Sequence, residues 1–257
     1  MREGFRDWFS RDSASYARFR PRYPTELFQW LATLPAARRV AWDCCTGNGQ
    51  AASGLAGHFE LVVGTDASLA QLRAAESRPG LRYAAGLGEA SAIAPGSADL
   101  ITVGQALHWL DRERFVTEVI RAAAPGAALA IWGYNRLETV PAVSELVSRF
   151  HTETMGPYWT AERKLVDAGY AGIALPIEEV PAPRFAVEAE LTLDELVGYL
   201  RTWSAVARYR AAHGDDPVEL FEPGLRRVWG KPARTHRVAW PLFVRAGRIR
   251  NQQAGTA

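Results

Sequence analysis

Residues 40–50, VAWDCCTGNGQ, decide the fold of this 257-residue chain. An apolar run ends at Asp43, a glycine-rich turn follows, and a helix-forming run begins at Gln50. Glycines let a backbone approach a ligand where a Cβ would clash. The first turn of the following helix offers unpaired N–H groups beside that turn. The stretch therefore predicts a nucleotide-type site between a strand and a helix.

Strand and helix patterns alternate on both sides of this turn. Apolar runs predict strands at 39–43, 61–65, 81–85, 98–104 and 127–134, and helical patterns cover 25–34, 50–56, 68–77 and 112–123. This alternation indicates βαβ units and a parallel sheet. Ligands of such sheets bind at the carboxyl ends of the strands. We therefore expect an α/β fold with a doubly wound, Rossmann-like, mostly parallel sheet.

Beyond residue 134 the alternation stops. Helical patterns cover 138–150, 162–168, 192–212 and 216–229, with a possible strand at 184–190. We interpret 135–230 as a helical insertion that forms a cap. A strand at 237–245 returns to the sheet, where Pro241 favours an edge or a bulge. The expected organisation is one domain over 1–257, with lid helices at 1–38, a cofactor-binding core at 39–134, the cap, and the returning strand within 231–250.

Composition argues against several classes of function. The chain has 30 Lys and Arg and 28 Asp and Glu, a net charge of +2, whereas nucleic-acid binding needs clustered basic residues. Two adjacent cysteines, Cys44 and Cys45, suit neither a disulfide framework nor tetrahedral zinc, so we expect no metal. No apolar run reaches the ~18 residues of a membrane span, and the N-terminus lacks a signal-peptide core. We expect a cytoplasmic monomer or homodimer without nucleic-acid or membrane partners.

The glycine spacing leaves two cofactors open. Residues 47–52 fit G-x-G-x-x-G/A. In dinucleotide-binding proteins the acid that binds the ribose lies ~20 residues beyond the glycines, and Asp66 lies at a similar distance from Gly47. That pattern alone supports NAD. Asp43 would repel a pyrophosphate at short range, but it suits S-adenosylmethionine, which carries a cationic amine and a sulfonium. We predict S-adenosylmethionine, with an NAD-dependent oxidoreductase or a cofactor-binding protein without turnover as the alternatives.

Several motifs resemble class I S-adenosylmethionine-dependent methyltransferases, in particular the methyltransferase-11 group that includes trans-aconitate methyltransferase-like proteins. Residues 43–49 resemble D-x-G-x-G-x-G, with Cys45 in place of the first glycine. Residues 97–109 resemble the strand-four signature that ends in His-Trp, and 16–24, 200–204 and 240–243 resemble other segments of the group. The resemblance implies the seven-stranded methyltransferase type of sheet and methyl transfer to a small molecule, on a carboxylate oxygen, a hydroxyl or a nitrogen.

The resemblance also implies roles for individual residues. Asp43, Gly47 and Gly49 would hold the methionine part of the cofactor, and Asp66 would accept from the ribose hydroxyls. The full expected cofactor set is Tyr16, Arg20, Asp43, Cys45, Gly47, Asn48, Gly49, Asp66, Ala67, Gly88, Glu89, Gln105 and Ala106. The expected acceptor pocket contains Tyr23, Trp109, Tyr134 and Trp203.

His108 is the expected general base, because it follows strand four and an unshifted imidazole titrates near ~6.5. A structural or substrate-binding role for His108 is the alternative. The other histidines are in surface-like sequence contexts and receive no role.

Overall fold

The computed structural model describes residues 22–250, so the predicted site residues Tyr16 and Arg20 lie outside the described part. The chain divides into two compact units. Of the described residues, the sheet unit comprises Tyr23–Tyr134, Leu165–Phe185 and 242–250, and the helical unit includes Asn135–Lys164 and Ala186–Pro241. The interpretation of 135–230 as a cap stays a prediction.

The described chain contains one eight-stranded sheet. Its strands are β1 Val40–Cys44, β2 Leu61–Asp66, β3 Leu81–Ala85, β4 Ala98–Gly104, β5 Ala123–Tyr134, β6 Ile177–Val180, β7 Phe185–Leu191 and β8 His236–Ile249. Seven of them follow the order β3-β2-β1-β4-β5-β8-β6, and β7 pairs with β8 off this path. The first five strands pair in parallel, and β8 runs antiparallel to β5 and β6. The predicted doubly wound, mostly parallel fold is confirmed.

Nine α-helices occur in the described residues. They are α1 Thr25–Leu31, α2 Gln50–Leu55, α3 Leu69–Arg73, α4 Arg112–Ala122, α5 Pro141–Arg149, α6 Arg163–Asp167, α7 Leu193–Arg201, α8 Ser204–His213 and α9 Pro217–Trp229. Side chains cap several N-termini: Ser68 accepts from Gln71 N at the start of α3, and Thr192 and Glu195 form a capping box at α7. None of these helices is both long enough and apolar enough to cross a membrane.

The sheet of the sheet unit is buried on both faces. Ala41 packs in a cluster with Leu27 and Leu55, which belong to α1 and α2. Its neighbour Trp42 points to the other face and packs with Phe115 of α4. Strands covered on both faces are near-continuous apolar runs, which is why β1 and β4 could be recognised in the sequence.

Two elements differ from the sequence expectation. The helix expected at 192–212 is two helices, because the backbone of Trp203 is extended between them and its side chain is 7% exposed. Strand β6 was not expected, since it has four residues and two of them are exposed glutamates, Glu178 and Glu179. Its pairing with β8 supplies a long-range partner that a local pattern does not contain.

Candidate active site

Asp43 lies near the carboxyl end of β1 and is 1% exposed. One carboxylate oxygen accepts from the Thr46 hydroxyl and from Ala52 N, and the other accepts from the Thr102 hydroxyl at 2.8 Å. Burial raises the pKa of Asp43 to about 6 and the charge of Asp66 adds to this, whereas the three hydrogen bonds act in the opposite direction. Asp43 therefore joins the glycine turn, α2 and β4 from inside the protein. Its predicted part in holding the cofactor stays a prediction.

The turn after β1 has left-handed backbone conformations that suit glycine. Gly47 has φ +56° and Gly49 has φ +82°. A Cβ at Gly49 would lie 2.1 Å from the Tyr83 hydroxyl, so Tyr83 packs directly against the turn. At Gly47 the nearest heavy atom to such a Cβ, Gln71 Oε1, is 3.9 Å away. Among the described residues the backbone is thus open at Gly47, which is where a ligand can approach it.

Asp66, the last residue of β2, faces the same turn and is half-buried. Its two oxygens accept from Gly47 N and from Ser68 N, each at 2.8 Å. An ionised carboxylate has about four acceptor positions, so this group can accept further hydrogen bonds from two vicinal hydroxyls. An ordered acid with acceptor positions to spare fits the ribose hydroxyls of S-adenosylmethionine. Ala67 and Asn48, also predicted for the cofactor site, are both half-buried.

The loop between β3 and β4 contains Gly88 and Glu89, which were predicted to flank the adenine. A Cβ at Gly88 would lie 2.7 Å from Cys44 Sγ and 2.8 Å from Leu110 Cδ2, so close packing requires glycine here. Glu89 Oε1 accepts from Asp111 N at 2.7 Å and thereby anchors the residue that caps α4. Both residues have structural contacts, and their contact with adenine stays a prediction.

The segment after β4 is fixed to the end of β5. Gln105 has φ +56°, donates from its backbone to Trp132 O at 2.8 Å, and donates from its side chain to Tyr134 O at 3.1 Å. Ala106 is 7% exposed and Tyr134 is 5% exposed. The predicted sulfonium-facing residues and one predicted acceptor residue are therefore brought together at adjacent strand ends.

His108 lies in a short 3₁₀ turn, Leu107–Trp109, directly after this segment. Its Nδ1 is 2.8 Å from the hydroxyl of Tyr170, and its ring centroid is 4.7 Å from that of Trp109. Tyr170 is fully buried, whereas Trp109 is 42% exposed. Tyr170 was not predicted as a site residue. It is 62 residues from His108, and no local pattern marks it.

Backbone strain is concentrated around these residues. Within 22–250, three residues other than glycine have positive φ: Cys45, Gln105 and Tyr170, each at +56°. Such conformations cost roughly 1–3 kcal/mol each and cluster at functional sites. Cys45 lies in the glycine turn, Gln105 follows β4, and Tyr170 contacts His108. The strain thus marks the same region as the motifs.

Two of the predicted acceptor residues have packing partners that the sequence did not suggest. Tyr23 packs edge-on against Phe28 and Trp132 in the sheet unit. Trp203 belongs to an aromatic cluster inside the helical unit, with the rings of Phe150, His151, Trp159 and Tyr199. These contacts favour a packing role for Trp203, and its place in an acceptor pocket stays a prediction.

The burial of His151 shows that its interpretation as a surface residue is wrong. It was placed in a surface-like context, but it is 8% exposed and lies on a π-helical turn, Phe150–Thr154. Trp159, which follows the π-helical turn, and Trp203, from a distant part of the chain, pack against its ring. Its neighbouring residues in the sequence therefore gave no sign of its burial.

The cysteine pair packs against the core next to the turn. Cys44 is fully buried, Cys45 is half-buried, and their sulfur atoms are 3.9 Å apart. The hydrogen bond between them, together with burial, holds the pKa of the Cys44 thiol well above its usual range. In the part of the chain that the structure describes, no three His, Cys, Asp or Glu side chains are grouped so that they could hold a metal ion.

Sequence reasoning also missed the two threonines that bind Asp43. Thr102 carried a usable signal, because it is a polar residue in the otherwise apolar second half of β4 and is in register with Asp43. Thr46 lies within the recognised motif, and its hydroxyl was overlooked. Buried acids are stable only when such donors satisfy them.

Comparison with known proteins identifies the family. A family model described as a methyltransferase domain matches residues 42–131. A candidate methyltransferase of Dictyostelium discoideum is 32% identical over 229 residues, which cover 88% of this chain and 87% of that protein. A Saccharomyces cerevisiae protein, described as a probable S-adenosylmethionine-dependent methyltransferase, is 27% identical over 255 residues and covers 84% of this chain and 88% of its own length.

A solved structure agrees with these relatives. The structure of a candidate type II methyltransferase from Anaeromyxobacter dehalogenans is 42% identical, has a TM-score of 0.84, and covers 90% of this chain and 98% of its own. These similarities decide between the two cofactors that the glycine spacing left open, in favour of S-adenosylmethionine. The narrower resemblance to trans-aconitate methyltransferase-like proteins stays a prediction. The chain belongs to the class I S-adenosylmethionine-dependent methyltransferases.

Proposed function

We propose that this methyltransferase acts on a small-molecule acceptor and that His108 removes the proton of an acceptor hydroxyl or amine. The observation that carries the proposal is the position of His108. It lies directly after β4, whose carboxyl end adjoins that of β1 in the same parallel sheet. Its ring contacts two aromatic side chains, Trp109 and Tyr170. An ordered imidazole at the ligand-binding edge of the sheet suits general base catalysis.

In this reaction the main task of the protein is to align the acceptor with the methyl group. When bound, S-adenosylmethionine supplies a methyl group whose leaving group is a neutral thioether. Holding two reactants in line contributes ~7–11 kcal/mol. A hydroxyl or amine acceptor also has to lose a proton, which His108 takes, whereas a carboxylate acceptor needs no base. We propose that the acceptor is a metabolite or a natural-product intermediate.

The proposed cofactor contacts follow the charges at the strand ends. Asp66 accepts from the ribose hydroxyls, and the backbone at Gly47 lies against the methionine part. The negative charge of Asp43 and Asp66 favours the cationic cofactor, as expected for opposite charges in a partly buried site. Further proposed cofactor residues are Cys45, Asn48, Gly49, Ala67, Gly88, Glu89, Gln105 and Ala106, with Tyr16 and Arg20 from outside the described chain. Proposed acceptor residues are Tyr23, Trp109, Tyr134 and Trp203.

The test replaces His108 by glutamine. We expect His108→Gln to lower the methylation rate of a hydroxyl or amine acceptor by about 10²–10⁴-fold. Its calorimetric affinity for S-adenosylmethionine should stay the same. Acceptors are found by screening hydroxyl, amine and carboxylate compounds for transfer of a labelled methyl group.

His58→Gln is the matched control. His58 follows α2 and precedes the amino end of β2, opposite to the ligand-binding edge of the parallel strands. The activity of the His58→Gln variant should match that of the unaltered protein. Full activity of His108→Gln on a hydroxyl or amine would overturn the role of His108, and methylation confined to macromolecules would overturn the acceptor class. A monomeric or homodimeric state, a cytoplasmic location and the lack of nucleic-acid partners stay predictions.

A further inference from the structure

Tyr170 combines a fully buried side chain with an unfavourable backbone conformation. It is 0% exposed, and its φ of +56° follows a left-handed Gly169 at φ +60°. A bulky side chain in the left-handed region is a genuine outlier and persists only where its surroundings enforce it. Gly169 and Tyr170 form a corner of the backbone, and a glycine at position 170 would adopt it without strain. A tyrosine at this strained position therefore indicates that its side chain has a specific role.

The corner is held from outside by an arginine. Arg245 of β8 donates from Nη1 to Tyr170 O at 2.7 Å and to Ile173 O at 2.8 Å. Its other nitrogens bind the carboxylate of Glu179 on β6. The Arg245 contact lowers the pKa of Glu179, so both partners stay charged. This ion pair ties the strained corner to two strands of the sheet.

The Tyr170 side chain is aligned by rings on two sides. Phe243 packs edge-on against it, with centroids 5.3 Å apart and an interplanar angle of 85°. The imidazole of His108 is nearly parallel to it, with an interplanar angle of 27° and centroids 6.2 Å apart. The hydroxyl then lies 2.8 Å from Nδ1 of His108. The orientation of His108 is thus determined by a residue that cannot easily move.

We propose that Tyr170 is a positioning residue that holds His108 in the Nδ1–H tautomer, so that the lone pair of the ring is on Nε2. This inference rests on the proposed function, in which His108 is the base. The Tyr170 oxygen accepts from Nδ1–H, and the bond on one ring nitrogen determines the chemistry of the other. As the acceptor lone pair forms its bond to the methyl carbon, the methyl–sulfur bond breaks with its electron pair left on the neutral thioether, and the acceptor proton passes to Nε2. The same Tyr170 oxygen then stabilises the imidazolium until the proton leaves to water.

The test measures the tautomer directly and needs no acceptor. The ¹⁵N chemical shifts of His108 are recorded at alkaline pH, where a neutral ring can be compared between variants, and the signal is assigned with His108→Gln. We expect Nδ1–H in the unaltered protein and a shift towards Nε2–H in Tyr170→Phe. With an acceptor in hand, kcat of Tyr170→Phe should fall about 10–100-fold, while the Kd for S-adenosylmethionine is unchanged.

Tyr158→Phe is the matched control, because it removes another tyrosine–histidine hydrogen bond, to His213 in the helical unit. It should leave the His108 signals unchanged. If Tyr170→Phe fails to fold, Arg245→Lys loosens the same corner and should shift the tautomer in the same direction. An Nε2–H signal in the unaltered protein, or an unchanged tautomer in Tyr170→Phe, would overturn the inference. Failure of the unaltered protein to bind S-adenosylmethionine would instead overturn the proposed function, since the tautomer is measured without it.

Discussion

At the scale of single residues, Asp43 shows how burial and hydrogen bonding oppose each other. Three donors, from Thr46, Ala52 and Thr102, satisfy a carboxylate that is almost fully removed from water. Burial prevails, and the pKa of Asp43 rises to about 6. In the unfolded chain an aspartate titrates near 3.9. Folding therefore favours the protonated form of this group.

The pKa of Asp43 has a consequence for stability. Because its folded pKa is raised, its contribution is fully present below pH ~4 and is lost as the pH rises through about 6. We expect the difference in unfolding free energy between Asp43→Asn and the unaltered protein to change by on the order of 3 kcal/mol in favour of the variant between these limits. Urea unfolding over a pH series measures this difference. Asp215→Asn, at an exposed position, should show no such trend, and a pH-independent difference for Asp43→Asn would contradict the expectation.

The sequence was sufficient to bring together the candidate residues that lie at strand ends. Asp43 and Asp66 follow apolar runs, and parallel strands bring their carboxyl ends to one edge, so their proximity could be predicted. Tyr170 could not be predicted, because its contact with His108 depends on a corner that Arg245 stabilises from β8. Contacts of that kind arise from tertiary packing, which sequence periodicity does not encode.

At the scale of elements, the loop between β3 and β4 is fixed by α4. Glu118 of α4 is 7% exposed and accepts from Ser91 N at 2.7 Å and from the Ser91 hydroxyl at 2.6 Å. Arg121 donates to Glu118 and to Ile93 O. The hydrogen bond from Arg121, followed by those from Ser91, lowers the pKa of Glu118 to about 2 despite its burial. The loop that contains Gly88 and Glu89 thus depends on one helix face.

Removing this carboxylate should destabilise the protein. We expect Glu118→Ala to lower the unfolding free energy by about 2 kcal/mol near neutral pH, since Arg121 and Ser91 lose their partner. The folded pKa of Glu118 is depressed, so its contribution is present above ~4.5 and is lost as the pH falls towards 2. Denaturant unfolding at neutral and acidic pH measures both effects. Glu113→Ala, on the exposed face of α4, is the control, and an equal loss there would contradict the expectation.

At the scale of the whole molecule, the sheet unit is assembled from separate chain segments. Leu165–Phe185 belongs to it, although the sequence placed this segment within the predicted insertion. The reason is visible in β6, whose pairing with β8 completes one end of the sheet. The presence of the first five strands and their parallel pairing followed from alternation alone. The return of Leu165–Phe185 to the sheet from within a helical region could not be predicted from that alternation.

Cofactor binding should stabilise the sheet unit measurably. At a concentration of a hundred times its Kd, S-adenosylmethionine should add about 2.7 kcal/mol. In a chain of this length that raises Tm by about 5–10 °C. Differential scanning calorimetry measures the shift for the transition that includes the sheet. Asp66→Ala should show a much smaller shift at the same concentration, and an undiminished shift would remove Asp66 from the cofactor site.

The three left-handed residues Cys45, Gln105 and Tyr170 limit how this enzyme can be engineered for higher stability. A thermostability screen would favour glycine at the half-buried Cys45 and Gln105, where relief of the left-handed backbone can outweigh the loss of the side chain. At Tyr170 the loss of a fully buried aromatic side chain outweighs that relief. Stabilised variants of this kind would accumulate in the turn and behind β4. Each gain in melting temperature would then be obtained at residues predicted to hold the cofactor, a trade-off between stability and activity. Libraries built on this scaffold should keep these three positions fixed.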